Sequence, residues 1–371
     1  MARLAKHLST DQCVIQTDAE KGNAAMVLFW FWAVAAMLTI YAVLDGFDIG
    51  AGIVHLFVAR NDTERRLVLR SIGPVWDGNE VWLIAAGGTL FMAFPTLYAS
   101  SFSGFYLPLS LVLWLLILRG IAIEFRSKIA SPVWSPFWDV VFASASAGLA
   151  GFYGVAIGNV VRGVPLDQSG FFFLTLWTDF RVGGRVGILD WFTILVGLAT
   201  FFAMAAHGSL WVALKTDGEL ETRCRQAANL LWWPVLLFTV LIPIVSPMVQ
   251  PHLLDRIAHH PWGYIFPAFA LAGLAGMRYF NRAQSAIQAF IASSLYVLGI
   301  ATSTTFGLCP YVLPSTIDSR FSLSIANAAA PPSAQRIGFF WFIPGIILAF
   351  VYLRFGYRGF AGKVDVEGQG Y

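Results

Sequence analysis

Long apolar runs that are almost free of charge recur along the chain and limit the folds that it can adopt. A helix needs about 20 predominantly apolar residues to cross a bilayer, and nine runs in the sequence approach or exceed that length. The predicted spans are 25–58, 75–97, 104–125, 137–160, 190–214, 227–250, 262–279, 284–307 and 337–356. The predicted fold is therefore an all-α polytopic membrane protein with nine transmembrane helices.

The overall composition excludes a soluble globular protein. Hydrophobic residues make up 57% of the chain and charged residues only 12%, whereas a soluble domain has about 25% charged residues. The net charge of +3 is small and does not indicate nucleic acid as a partner. The three cysteines lack paired spacing, so we expect no metal cluster on this chain. We predict an exposed N-terminal tail over 1–24, a transmembrane domain over 25–358 and a C-terminal tail over 359–371.

Basic residues alternate between the predicted loops in the way that the positive-inside rule describes. The basic loops are 60–70, 126–135, 215–226 and 278–282. In contrast, loop 98–103 has no basic residue and loop 251–261 has one arginine. This pattern predicts an N-terminus outside the cell and a C-terminal tail in the cytoplasm. The long loops 161–189 and 308–336 are then external, and neither is long enough to bury a core.

Acidic side chains within the apolar runs are the strongest functional signal in the sequence. Asp45 and Asp48 lie deep in the first predicted span, and Asp77 and Glu80 open the second span beside Trp76. Such groups must face a protein interior or water. A proton relay is one interpretation of both pairs. The alternatives are a structural hydrogen bond for the first pair, and an interfacial helix start that favours acids for the second.

The third predicted span ends with two further ionisable residues, Arg119 and Glu124. Arg119 either extends its side chain to the interface or supplies a counter-charge for a buried carboxylate. Because all these groups lie toward one membrane face, a half-channel that admits protons from the cytoplasm is expected, with at least one acid protonated near neutral pH. His55 and His207 fall near cytoplasmic span ends, which is more typical of interfacial residues than of haem ligands.

Seven sequence blocks, in order along nearly the whole chain, resemble subunit II of the cytochrome bd-type quinol oxidases, including the cyanide-insensitive members. The most specific block is the WDGNEVW sequence. The blocks are LDGFDIGAG (44–52), RNDTERR (60–66), GPVWDGNEVWLIAAGGTLF (73–91), FSGFY (102–106), LRGIAIEFRSK (118–128), HGSLWVALKTDGEL (207–220) and PYVLPSTIDSRFSLSIANAA (310–329).

This resemblance implies a fold, a partner and an activity. The nine helices would form two four-helix bundles, about 25–160 and 190–307, plus a peripheral helix at about 337–356. Subunit I, the expected partner, would hold two b-type haems and a d-type or third b-type haem. The complex would oxidise quinol and reduce dioxygen to water in the bacterial inner membrane. The family also allows small single-span accessory subunits and a structural quinone in this chain.

The resemblance also implies roles for particular residues. It assigns Asp77, and with it Asp48 and Glu124, to a path that brings protons from the cytoplasm. Reasoning from the residues adds Asp45 and Glu80 to this path, with Trp76 and Arg119 as supporting residues. The residues alone leave two other functions open, a proton-coupled transporter and a purely structural assembly subunit.

Overall fold

A computed structural model describes residues 18–364, and helices dominate this part of the chain. Helices occupy all nine predicted positions, and three further helices, α2, α4 and α9, lie between them. The helices are α1 (Asp18–Val58), α2 (Asp62–Ile72), α3 (Trp76–Ala93), α4 (Pro95–Gly104), α5 (Tyr106–Phe125), α6 (Trp134–Arg162), α7 (Trp191–Lys215), α8 (Gly218–Val249), α9 (His252–His259), α10 (Ile265–Arg282), α11 (Ala286–Leu308) and α12 (Pro332–Gly359). Short 3-10 helices cover Pro261–Tyr264 and Ser319–Phe321.

Seven helices within residues 18–364 are long and apolar enough to cross a membrane, judged by length and composition. They are α1, α5, α6, α7, α8, α11 and α12. The other two helices at predicted positions, α3 and α10, have 18 residues each and carry charged side chains. The all-α polytopic membrane fold is therefore confirmed. The count of nine spans, the two four-helix bundles and the peripheral helix remain predictions.

Several predicted boundaries are wrong because helices continue beyond the apolar runs. The predicted loop 60–70 folds as α2, and the Asn61 side chain caps this helix by accepting the backbone N–H of Glu64 at 2.9 Å. The predicted loop 98–103 lies within α4, since the helical chain bends at Phe94 and resumes at Pro95. Residues 18–24 of the predicted tail belong to α1, and the preceding residues lie outside the described part.

Helix α1 lies at the centre of the helical domain and packs against α3, α6, α7 and α11. Glycines bring its backbone into direct contact with its neighbours. A Cβ atom added at Gly50 would lie 1.9 Å from the Met204 carbonyl oxygen of α7. One added at Gly52 would lie 2.0 Å from Ser146 Oγ of α6. Small residues permit this close helix approach in membranes, so the glycines around Asp45 and Asp48 have a packing function.

The two long loops, 161–189 and 308–336, fold against each other and bury a core together. The Val164 amide donates to the Pro314 carbonyl at 3.0 Å, and the Val164 carbonyl accepts a hydrogen bond from the Thr316 amide at 2.8 Å. Strands β1 (Tyr311–Leu313) and β2 (Leu323–Ser324) pair antiparallel in the second loop. The expectation that neither loop could bury a core overlooked this pairing. Buried apolar members of this core include Leu166, Phe172, Leu174, Ile188, Leu313 and Leu323.

We expect Gly50→Ala to destabilise the protein, because the added methyl group must separate α1 from α7. Overpacking of this kind costs about 1–3 kcal/mol. Gly151→Ala in α6 is the matched control, since a Cβ atom there would meet nothing within 4 Å. Thermal unfolding of the protein purified from membranes measures both variants. A Gly50→Ala protein as stable as the Gly151→Ala protein would contradict the described contact.

Candidate functional site

Asp45 and Asp48 of α1 are completely enclosed by the protein. They lie one helical turn apart and face α3 and α5, opposite the glycine contacts with α7. Tyr41 lies one turn before Asp45, and its hydroxyl is 2.7 Å from the hydroxyl of Tyr153 in α6. A buried carboxylate requires compensating charge or hydrogen bonds, and the two aspartates obtain these in different ways.

Arg119 of α5 supplies the counter-charge for Asp45. Its side chain is fully buried, and its Nη1 atom donates to Asp45 Oδ1 at 2.6 Å. Its Nη2 atom pairs with Glu80 Oε1 of α3. Arg119 therefore does not extend to the membrane interface. Its position agrees with the other alternative, in which it supplies a counter-charge for a buried carboxylate. The Glu80 side chain is 23% exposed, so this ion-pair cluster extends from the protein interior toward its surface.

Asp48 receives hydrogen bonds rather than a direct ion pair. Asn79 of α3 is fully buried, and its Nδ2 atom donates to Asp48 Oδ2 at 2.7 Å. The Tyr357 hydroxyl of α12 donates to Asn79 Oδ1 at 2.8 Å. Asn79 and Tyr357 were not among the predicted site residues. Asn79 lies inside the WDGNEVW sequence and could have been found there, whereas nothing in the sequence connects Tyr357 to residues so far away.

The last turns of α12 are anchored beside this hydrogen-bond chain. Lys215 Nζ donates to the Phe360 carbonyl at 2.5 Å, and Lys363 Nζ donates to the Thr216 carbonyl at 2.9 Å. Lys363 also pairs with Asp217. The hydrogen bond to this carboxylate raises the pKa of Lys363 above its usual value, so Lys363 stays protonated at neutral pH.

Asp77 and Glu124 do not join the buried cluster. Asp77 is exposed on the surface of the chain, Trp76 beside it is half-buried, and Glu124 is half-buried. Neither acid makes a side-chain hydrogen bond or ion pair within residues 18–364. Of the predicted site residues, the structure thus brings together Asp45, Asp48, Glu80 and Arg119. The proposed roles of all seven residues remain predictions.

A second buried ionic network, which the sequence analysis missed, is centred on Asp139 of α6. Arg126 donates to Asp139 from Nε at 2.7 Å and from Nη2 at 3.1 Å. Arg65 of α2 donates to the same carboxylate at 3.1 Å, and His55 Nε2 of α1 lies 2.7 Å from it. Arg126 also pairs with Asp62 at 2.8 Å. The sequence signal that could have identified Asp139 is an acidic residue in the first turns of an apolar run, which is the same signal that identified Asp77.

His55 and His207 are both fully buried, so the expectation that they are interfacial is wrong. His207 Nδ1 lies 2.7 Å from Ser293 Oγ, and its Nε2 lies 2.9 Å from the Val43 carbonyl oxygen. Its ring stacks on Phe290 with centroids 5.0 Å apart. Both nitrogens of His207 and one nitrogen of His55 are thus occupied by protein groups.

Comparison with known proteins identifies the family. The family model for cytochrome bd terminal oxidase subunit II matches residues 26–360. The chain is 29% identical over 363 residues to a probable cytochrome oxidase subunit 2 of Haemophilus influenzae, covering 91% of this chain and 95% of that protein. It is 30% identical over 313 residues to cytochrome bd ubiquinol oxidase subunit 2 of Bacillus subtilis, covering 83% of this chain and 88% of that protein.

The fold is also similar to that of a solved structure. A chain in the structure of bd oxidase from Geobacillus thermodenitrificans superposes with a TM-score of 0.72 at 17% identity, covering 91% of this chain and 99% of that chain. Because the family model matches most of the sequence and the helices are those of a multi-pass membrane protein, this chain belongs to the cytochrome bd terminal oxidase subunit II family.

Proposed function

We propose that this chain is the non-haem subunit of a quinol:oxygen oxidoreductase in the bacterial inner membrane. It supports the haem-bearing subunit I and supplies part of the path that brings protons from the cytoplasm to the site of dioxygen reduction. Its named relatives include the ubiquinol oxidase subunit of Bacillus subtilis, which supports quinol as the reductant. A structural quinone and small accessory subunits remain further predictions from the family resemblance.

The observation that carries the proton role is the excess of carboxyl groups over positive charge in the buried cluster. Within the part of the chain that the structure describes, Asp45, Asp48 and Glu80 face one cation, Arg119. If all three carboxyl groups were ionised, the interior would hold uncompensated negative charge, which is costly in a medium of low dielectric constant. We therefore expect at least one carboxyl group of the cluster to carry a proton that it can release and take up.

The difference in burial among these carboxyl groups supports a route for the proton between the protein surface and the interior. Glu80 is the partly exposed member of the cluster, and Asp45 and Asp48 are enclosed. Asp45 Oδ2 and Asp48 Oδ1 have no hydrogen-bond partner within the described residues, so each has an acceptor available for a proton or a water molecule. An arginine side chain keeps its proton. Arg119 therefore orients the carboxyl groups electrostatically, while Glu80 and the two aspartates exchange the proton.

His207 does not suit a haem, whereas His55 keeps one ring nitrogen, Nδ1, without a partner within the described residues. Both ring nitrogens of His207 bind protein groups, and His55 Nε2 faces Asp139. A haem iron needs an axial ligand with a free lone pair. On the family resemblance we assign the redox centres to subunit I, and this chain's residues act on protons and on assembly.

A purely structural role is the competing function, and one observation favours it. Arg119 connects α1, α3 and α5 through a closed ion-pair cluster, and buried ion pairs of this kind can serve packing alone. The two functions differ in what a neutral substitution does. A structural cluster that is disrupted loses assembly, whereas a proton path that is disrupted loses turnover while the haems remain bound.

We expect Asp77→Asn to lower oxygen consumption tenfold or more, which corresponds to about 1.4 kcal/mol or more in the limiting barrier. Asn keeps the size and hydrogen bonding of Asp but removes the exchangeable proton. Because Asp77 is exposed, assembly and haem content should persist. The matched control is Asp179→Asn in loop 161–189, where the carboxylate is 54% exposed; it should leave turnover unchanged. Full turnover of assembled Asp77→Asn enzyme would remove Asp77 from the path.

Asp48→Asn separates the two functions at the buried cluster. Asn can still accept the hydrogen bond from Asn79, so we expect the complex to assemble with its visible haem spectrum. Quinol-dependent oxygen consumption should fall at least tenfold, which corresponds to about 1.4 kcal/mol or more in the limiting barrier. The measurement pairs a visible spectrum with oxygen electrode rates on the same preparation. Loss of haem in proportion to loss of activity would favour the structural role instead.

The membrane orientation is tested by labelling single cysteines in a background that lacks the native three. We expect Arg181→Cys, in loop 161–189, to react with an impermeant thiol reagent in intact cells, and Arg66→Cys, in α2, to stay unlabelled. Both native side chains are accessible on the protein, at 82% and 47% exposure, so only the membrane distinguishes them. Labelling of Arg66→Cys from outside would reverse the predicted topology.

A further inference from the structure

A cavity of about 540 Å³ opens between α8 and α10, far in sequence from the carboxyl cluster. It lies at the end of α10 that carries Arg278 and Arg282, which is the predicted cytoplasmic end. Two walls are aromatic, and two arginines contribute the charge. The lining residues are Trp232, Ala275, Arg278, Tyr279, Arg282 and Ala283. No acidic residue is among them.

Arg278 is held in place by aromatic rings rather than by a carboxylate. Its guanidinium carbon lies 4.7 Å from the ring centroid of Trp232 and 4.9 Å from that of Trp233. Within the described residues its one hydrogen bond is a long one, from Nη1 to the Asn229 carbonyl at 3.4 Å. A guanidinium has five N–H donors in a planar fork. Most of these donors are therefore oriented and available to an anion.

Arg282 lies one helical turn after Arg278 on the same side of α10. Its side chain is exposed, and it makes no ion pair within residues 18–364. The neighbouring basic residues of α8 and the C-terminal segment differ in this respect. Arg223 pairs with Glu64, Arg225 with Glu221, and Lys363 with Asp217. The positive charge at the cavity is thus uncompensated within residues 18–364.

The surface around the cavity is apolar and faces outward. Exposed large side chains on these helices include Leu230 at 72%, Tyr279 at 69% and Leu271 at 58%. In a helix that spans a membrane, such a surface contacts acyl chains. A ligand that satisfies both the arginines and their surroundings must therefore combine an anionic group with long apolar chains.

We propose that the α8–α10 cavity binds the phosphate headgroup of an anionic phospholipid from the surrounding bilayer. The two arginines contact the phosphate, and the acyl chains lie along the exposed apolar surface of α8 and α10. Basic pockets between transmembrane helices on the cytoplasmic side are suited to such headgroups. A neutral quinone would leave both arginines without a partner, and a free phosphate ion would leave the apolar surface unused.

The test counts lipids bound to the whole oxidase complex by native mass spectrometry. Delipidated complex is titrated with phosphatidylglycerol or with phosphatidylcholine. We expect the wild-type complex to retain phosphatidylglycerol preferentially, and Arg278→Gln/Arg282→Gln to weaken that binding about tenfold or more, because each arginine near the surface contributes attraction to an anionic lipid. The matched control is Arg354→Gln/Arg358→Gln, which removes the same charge at the same four-residue spacing from a different helix, α12.

A single Arg282→Gln variant guards against misfolding of the double variant, because this exposed side chain has no ion pair to lose within the described residues. We expect it to weaken phosphatidylglycerol binding about threefold or more with an unchanged haem spectrum. Equal loss in the α12 control, or equal retention of phosphatidylcholine by the wild type, would overturn the site. Displacement of phosphatidylglycerol by inorganic phosphate would show a soluble-anion site and would overturn the lipid assignment.

Discussion

The buried guanidinium of Arg119 is the interaction on which the arrangement of the first helices depends. It joins α5 to Asp45 of α1 and to Glu80 of α3, so three helices share one charge cluster. Removing one partner from a buried ion pair costs about 3–5 kcal/mol, since the other charge is left uncompensated. Any rotation of α3 or α5 that separated these groups would incur a penalty of that order. The cluster therefore sets which faces of the helices meet.

The two buried ionic networks differ in their balance of charge, and on that ground we propose different roles for them. At Asp139 a single carboxylate receives two arginines and a histidine, so its negative charge is fully compensated. At Arg119 a single cation faces an excess of carboxyl groups. A compensated carboxylate is well suited to fastening α2 and α6 together. An excess of carboxyl groups is suited to holding a proton, and for this reason we propose a proton role for the Arg119 cluster and not for the Asp139 network.

The sequence predicted the membrane fold because apolar length is a local property, readable without knowledge of contacts. It predicted the pairing of Arg119 with a carboxylate only as one of two alternatives. The other was extension to the membrane interface, and a residue at the end of a span is compatible with either. It missed the contribution of Asp139 and the core shared by the two long loops. That core depends on contacts such as Val164 with Pro314, and no local pattern signals a pairing over so long a separation.

The sequence also could not predict the rotation of α3 about its own axis, which decides which of its side chains point inward. Asp77 and Glu80 are three residues apart, which places them near the same helical face, yet Glu80 contacts Arg119 while Asp77 is exposed. The turn of about 60° that three residues leave is enough to separate an inward side chain from an outward one at the edge of a packed face. Spacing alone therefore cannot distinguish a buried relay from a surface entrance.

The exposure of Asp77 bears on where the proposed proton path would be completed. A carboxylate that faced acyl chains would be strongly disfavoured, so its environment in the membrane must be water or another protein chain. Trp76 beside it is half-buried and contacts the position of Gly120 on α5, where an added Cβ atom would lie 3.3 Å from the indole ring. The indole thus packs against α5 at the residue next to Arg119, while Asp77 lies exposed on the surface of this chain. The family pairs this subunit with a second one. The simplest arrangement is that subunit I or cytoplasmic water meets Asp77, and that the enclosed carboxyl groups behind it respond electrostatically to its charge.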